Sequence, residues 1–187
     1  WSEIDHLIGQ SELSGKVKAG ARGTFANLGE ALAEIQQVPI DQVDLAEVGT
    51  IEAILTVVGA WIAVSQLDVD SVSSSPIGLG YGIMRSGETQ QPLPTPTTLR
   101  LLEGLPVKYL EIEGETVTQS GAALLGSMVE TWDVSAEGYV VRSARGAGSR
   151  NPGTHPNVLT ATLLKKHDLE NSVTSQTLVM LNTNLDD

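Results

Sequence analysis

The chain has 187 residues, 23 acidic and 11 basic, for a formal charge of -12, with 41% hydrophobic content and no cysteine. That length supports one domain with a real core or two small ones, and the charge repels phosphate backbones and anionic membranes over most of the surface. Without cysteine, disulfides and thiolate metal sites are excluded, nothing argues for an oxidising compartment, and a cytoplasmic setting is the default.

Ile4, Leu7 and Ile8, then Phe25, Leu28, Leu32 and Ile35, recur at three to four residue spacing and predict two amphipathic helices before residue 38. Lys16, Lys18 and Arg22 lie between these sets. Thr50 is placed to cap a third helix, with Glu52 in the first turn, where the helix dipole favours an anion. Residues 51–67 are apolar nearly all round, which predicts a buried helix, with Gly59 and Ala60 allowing close approach of another backbone. The apolar run 53–64 is too short to span a bilayer. The chain opens on Trp1 without a signal-peptide pattern, and reads as an excised or processed piece.

After Asp68 the texture shifts to Val, Ser, Gly and Pro. Residues 69–73 read as a short strand, and 78–94 as a loop or hairpin in which "GLGYG" is a turn, since no helix follows it to make a dinucleotide fingerprint. Residues 95–103 form a short helix opened by Pro96 and closed by Gly104. Residues 107–112 are strand-like, and Ser120 caps a helix with Leu125, Met128, Val129 and Trp132 on one face. Residues 139–142, 158–164 and 177–181 supply further strands, and 165–175 a linker. Helices first and mixed elements later predict an α+β fold, with amphipathic N-terminal helices and a buried central helix followed by a mixed sheet with short helices.

Three constellations could carry chemistry. Residues 23–84 hold eight carboxylates and no Lys, Arg or His, a bias that reads as solubility or as attraction of a cation or a basic partner. Within it Asp44 and Glu47, three apart, would face one way on a helical turn, either sharing a hard cation or leading into a helix N-terminus. Arg142, Arg145 and Arg150 surround Gly146 and Gly148, near His155. This basic patch is either an anion-binding concavity for phosphate or carboxylate, or a glycine turn between strands with solvated arginines. Thr118 and Ser120 present hydroxyls beside helix amides, as a binding feature or as plain N-capping. No Ser-His-Asp order, HExxH, Walker or kinase motif is present.

The blocks "DLAEVGTIEAILTVVGA", "QPLPTPTTLRLLEGLP", "GETVTQSGAALL", "GAGSRNP" with "HPNVL", and "LNTNLDD" together resemble the LarC family, the nickel-insertion protein of the lactate racemase cofactor pathway. The resemblance runs from about Ile4 to Asp187. It implies loading of nickel into pyridinium-3,5-bisthiocarboxylic acid mononucleotide, a lyase-like cyclometallation that uses CTP and manganese or magnesium. It also implies a division into an α+β nickel-insertion domain over 1–164, the linker, and the start of a ferredoxin-like, nucleotide-linked domain over 176–187. Family members begin with a strand and a "GxSGDM"-like turn, which this sequence lacks.

Several positions depart from the family pattern. Roughly "HFHEVGAxDAIxDIVGA" in the family, the opening block has Asp44 and Ala46 in place of histidines, and Glu52 and Thr56 in place of aspartates. A family "HG" pair falls at Thr89-Gln90, a Pro-Thr at Gln119-Ser120, and a tyrosine at Arg145. The resemblance thus points to Asp44, Glu47 and Glu52 as the nickel-handling set, and to Arg142, Arg145, Arg150 and their glycines, with Thr118 and Ser120, for the precursor's phosphate or carboxylates. The alternative is a non-catalytic homologue that binds a protein partner or serves as an assembly subunit. The expected partners are the pyridinium mononucleotide or a protein, in a homo-oligomer or a hetero-complex, with no nucleic acid and no membrane insertion.

Overall fold

The computed structural model describes residues 1–45, 48–86, 89–132, 137–149, 156–165 and 177–183. The fold is α+β, and the chain divides into two compact units, each built from three separate stretches. The first comprises Trp1–Leu67, Thr95–Gly104 and Val117–Met128 and is helical. The second comprises Asp68–Pro94, Leu105–Thr116 and Val129–Asp187 and contains the strands.

In the helical unit, α1 (Ser2–Gln10) and α2 (Gly15–Gln36) are the two helices that the spacing predicts. The cations Lys16, Lys18 and Arg22 lie on α2 itself, and Arg22 forms an ion pair with Asp5 of α1. Ser14 caps α2 by accepting a hydrogen bond from the Val17 amide at 3.4 Å. The helix stops where Gln37 turns into the left-handed region, two residues before Pro39. α2 is central: α1, α3 (Ile51–Leu67), α4 (Pro96–Leu101) and α5 (Gln119–Met128) all pack against it. Its Phe25, Leu28 and Leu32 form the core with Ile4, Ile8, Val57 and Ala123.

The α2–α3 contact is specific. Trp61 of α3 lies over Gly20, where an added Cβ would sit 2.3 Å from the indole ring, and its Nε1–H donates to the buried Thr24 hydroxyl at 3.0 Å. The partly buried indole thereby keeps a partner for its one donor. α3 departs from the expectation of a buried helix. Val57 is fully buried, but Ile51, Leu55 and Leu67 are 77%, 66% and 44% exposed. Apolar residues all round a helix require burial only on faces that meet a neighbour, and α2 covers one side.

The strand unit holds two sheets. One has the order β1-β7-β6-β5, with β1 (Ser71–Ser74) parallel to β7 (Thr177–Thr183), and β6 (Val158–Lys165) antiparallel to both β7 and β5 (Tyr139–Ala147). β7, beyond the expected linker, is thus paired on both sides within this sheet. Its start is pinned by Asp70, whose carboxylate accepts the Thr177 amide at 2.6 Å. The stretch 166–176 lies outside the described residues.

The other sheet has the order β3-β2-β4, with β2 (Ile77–Ser86) antiparallel to β3 (Thr89–Leu93) and parallel to β4 (Val107–Glu113). Of the loop or hairpin expected over 78–94, the hairpin is what forms, and "GLGYG" runs inside β2 rather than at a turn. Gly80 permits this. A Cβ there would lie 2.3 Å from the Gly114 carbonyl oxygen, and the pairing of β2 with β4 shifts register between Leu79 and Tyr81. Thr116 secures the irregularity, its hydroxyl donating to Gly78 O at 2.7 Å and accepting from the Gly80 amide at 2.8 Å.

Candidate functional site

The acidic stretch belongs to the helical unit. Asp44 is exposed and lies in non-helical chain after the short 3₁₀ turn Ile40–Gln42. Its backbone is clamped by Gln36: the Asp44 amide donates to Gln36 Oε1 at 2.9 Å, and Gln36 Nε2 donates to the Asp44 carbonyl at 3.0 Å. The chain then turns, with the Val48 and Gly49 amides both donating to Leu45 O. The shared helical turn expected for Asp44 and Glu47 is therefore absent at Asp44, and Glu47 lies outside the described residues. Thr50 caps α3 as expected, its hydroxyl accepting the Ala53 amide at 3.2 Å, and Glu52 stands exposed in the first turn. Among the described residues, no three of His, Cys, Asp and Glu gather where they could hold a metal ion. His6 is exposed on α1, and His155 and His167 lie outside the described residues.

The basic patch belongs to the strand unit. Arg142, Arg145 and Gly146 are all within β5, which extends to Ala147, further than the sequence pattern indicated, and Gly148 follows it. Every residue of that strand is exposed. Arg142 pairs in register with Leu163 and Arg145 with Thr160. An odd separation along one strand puts the two guanidinium groups on opposite faces of the sheet. Gly148 is held at the end of the hairpin by its amide, which donates to Asn157 O at 2.9 Å. Arg150 lies outside the described residues.

Thr118, not Ser120, caps α5. Its hydroxyl accepts the Gly121 amide at 3.1 Å, and its carbonyl accepts the Ala122 amide at 2.8 Å. Ser120 sits one residue inside the helix and is partly exposed. The Thr118 hydroxyl is thus occupied by the helix end itself.

One polar feature escaped the sequence pattern. The hydroxyls of Ser73, Ser75 and Thr160 are buried without a hydrogen-bond partner among the described residues. Ser73 pairs with Met180, Met180 with Thr162, and Thr160 with Arg145, so Ser73, Thr160 and Arg145 share one face of the β1-β7-β6-β5 sheet. Buried hydroxyls are ordinarily paired, since an unmade bond costs on the order of 1–3 kcal/mol. Their signal in the sequence is slight, a serine run and an alternating Thr on separate strands that only the register brings together.

The titratable groups of the helical unit that depart from their ordinary range are structural. Hydrogen bonding from Arg22 holds the Asp5 carboxyl below the usual range, and the same contact raises the guanidinium. Glu34 and Glu103 do likewise for Arg100.

Comparison with known proteins supplies what local chemistry does not. The nickel insertion protein family model matches residues 1–187. A pyridinium-3,5-bisthiocarboxylic acid mononucleotide nickel insertion protein of Geobacillus kaustophilus is 33% identical, covering 100% of this chain and 47% of its own length. One with the same description from Desulfitobacterium hafniense is 36% identical over 87% of this chain and 40% of its own. The chain therefore spans about half the length of the relatives it matches. No solved structure matches it. With a family match over every residue and relatives above 30% identity along nearly its whole length, the chain belongs to the nickel insertion protein family.

Proposed function

We propose that this chain takes part in nickel insertion into a pyridinium bisthiocarboxylate mononucleotide, within the cytoplasmic pathway that matures the lactate racemase cofactor. The observation that carries the proposal is the family match from the first residue to the last. Nickel is here a substrate passed on to the organic ligand. Asp44, Glu47 and Glu52 would receive it through carboxylate oxygens. Hard oxygen donors hold nickel loosely, whereas the sulfur atoms of a bisthiocarboxylate are softer and stronger ligands. Transfer from such a set to the precursor is therefore downhill. Arg145, on the face shared with Thr160 and Ser73, and Arg142, on the opposite face, would bind separate oxyanions, one of them the phosphate, together with Arg150 and the adjacent glycines. Thr118 and Ser120 would contribute only through α5 amides and the Ser120 hydroxyl.

A resident manganese or magnesium ion finds no three-donor set among the described residues. The CTP requirement of the family likewise rests on the resemblance alone. The experiment is nickel titration of the purified chain against a chromophoric chelator. Stoichiometric uptake at micromolar nickel is expected, weakened about tenfold or more by Glu47→Gln combined with Glu52→Gln. A folded chain that takes up no nickel defeats the proposal. A second reading, a non-catalytic binding or assembly subunit of the same fold, is favoured by the exposure of Asp44 and Glu52 and by the lack of a three-donor group among the described residues. Such a chain would fail the titration yet keep its fold.

A further inference from the structure

The exposed face of α3 is self-complementary. Gly59 is the midpoint of the helix, and nothing among the described residues lies within 4 Å of where its Cβ would be. No packing among the described residues requires a glycine there, and glycine weakens a helix interior by roughly 1 kcal/mol relative to alanine. Stepping four residues at a time from Gly59 reaches Leu55 and Ile51 on one side and Ala63 and Leu67 on the other, all exposed. This is one inclined i±4 ridge, the element that interdigitates in the commonest class of helix packing.

We infer that α3 is the interface of a homodimer, in which a second copy of this chain crosses antiparallel about a two-fold axis at Gly59. The symmetry fixes every pairing. Gly59 meets the partner's Gly59, and two glycines let the backbones approach closely. Leu55 meets the partner's Ala63, large against small. Ile51 meets the partner's Leu67, apolar against apolar at each end. The single carboxylate on this face, Glu52, falls opposite the partner's Gln66, whose side-chain amide donates to it. A like-charge contact is avoided without any basic residue, and from Glu52 to Leu67 α3 carries no other charge. An isologous interface needs this kind of self-matching. A basic partner would find a single carboxylate, Glu52, at one end of an otherwise uncharged face. The helix is roughly 25 Å long, so one crossing buries less than the ~800 Å² per partner of a standard interface, and association is concentration-dependent. Because each copy carries -12, association strengthens as salt rises.

The chain has no cysteine, so a thiol introduced at one position reports only on that position. Sedimentation of the unmodified chain is expected to show a monomer–dimer equilibrium, shifted to monomer by Leu55→Glu with an unchanged far-ultraviolet circular dichroism spectrum. Gly59→Cys is expected to form a disulfide-linked dimer under mild oxidation. A mixture of Leu55→Cys with Ala63→Cys is expected to cross-link, while Ala63→Cys alone is not. A chain that stays monomeric at every soluble concentration overturns the inference. So does a dimer that persists in Leu55→Glu, or one in which Gly59→Cys fails to cross-link while a surface thiol elsewhere does.

Discussion

Gly20 and Trp61 show how a single side chain positions an element. The glycine is required by its neighbour rather than by its backbone, because a methyl group would enter the indole ring. Gly20→Ala therefore sets overpacking of about 1–3 kcal/mol against a helix-propensity gain of about 1 kcal/mol, and urea unfolding is expected to show a net loss of up to about 2 kcal/mol. The Asp5–Arg22 pair has a pH signature of definite sign. Its carboxyl is depressed, so the pair's contribution is present in full above the ordinary carboxylate range and is lost as pH falls below about 4. Arg22→Ala should flatten that acid limb slightly and leave stability at pH 7 nearly unchanged, since both partners are at the surface. Neither contact was visible in the spacing. Lys16, Lys18 and Arg22 lie between the two apolar sets in the sequence, and the structure shows that they belong to the first turns of α2.

At the scale of elements, most spans were legible because their signals are local. The apolar period of α1 and α2, Thr50 ahead of α3, and Pro96 opening α4 each state a backbone requirement in adjacent residues. The residue that caps α5 is Thr118, two residues before the Ser120 that the sequence suggests. Both Thr118 and Ser120 are suitable capping types, and only the hydrogen bond to Gly121 distinguishes them. Thr118→Ala is expected to lower stability by about 1 kcal/mol, and Ser120→Ala by less than about 0.5 kcal/mol, in parallel thermal denaturations. "GLGYG" read as a turn because glycine clusters usually mark turns. In this protein Gly80 lets β2 meet β4 at close range, a demand set by chain more than thirty residues away.

At the scale of the whole molecule, the charge of -12 acts on any cation that approaches. Nickel uptake is expected to weaken as ionic strength rises from about 10 to about 150 mM, where the screening length falls from roughly 30 to 8 Å. A competition titration at the two salts checks it. This dependence runs opposite to that of dimerisation, so the two measurements separate cation attraction from self-association.

The amino-acid sequence by itself determined the α+β class, nearly every helix and strand, and the family, because periodicity, caps and block order are properties of neighbouring residues. Only the tertiary structure decided that α3 keeps an open ridge, that β7 lies between β1 and β6, and that Arg142 and Arg145 face opposite ways. Burial and sheet register arise from pairing between distant segments, and no local pattern specifies which face of an apolar helix will meet a neighbour and which will stay open.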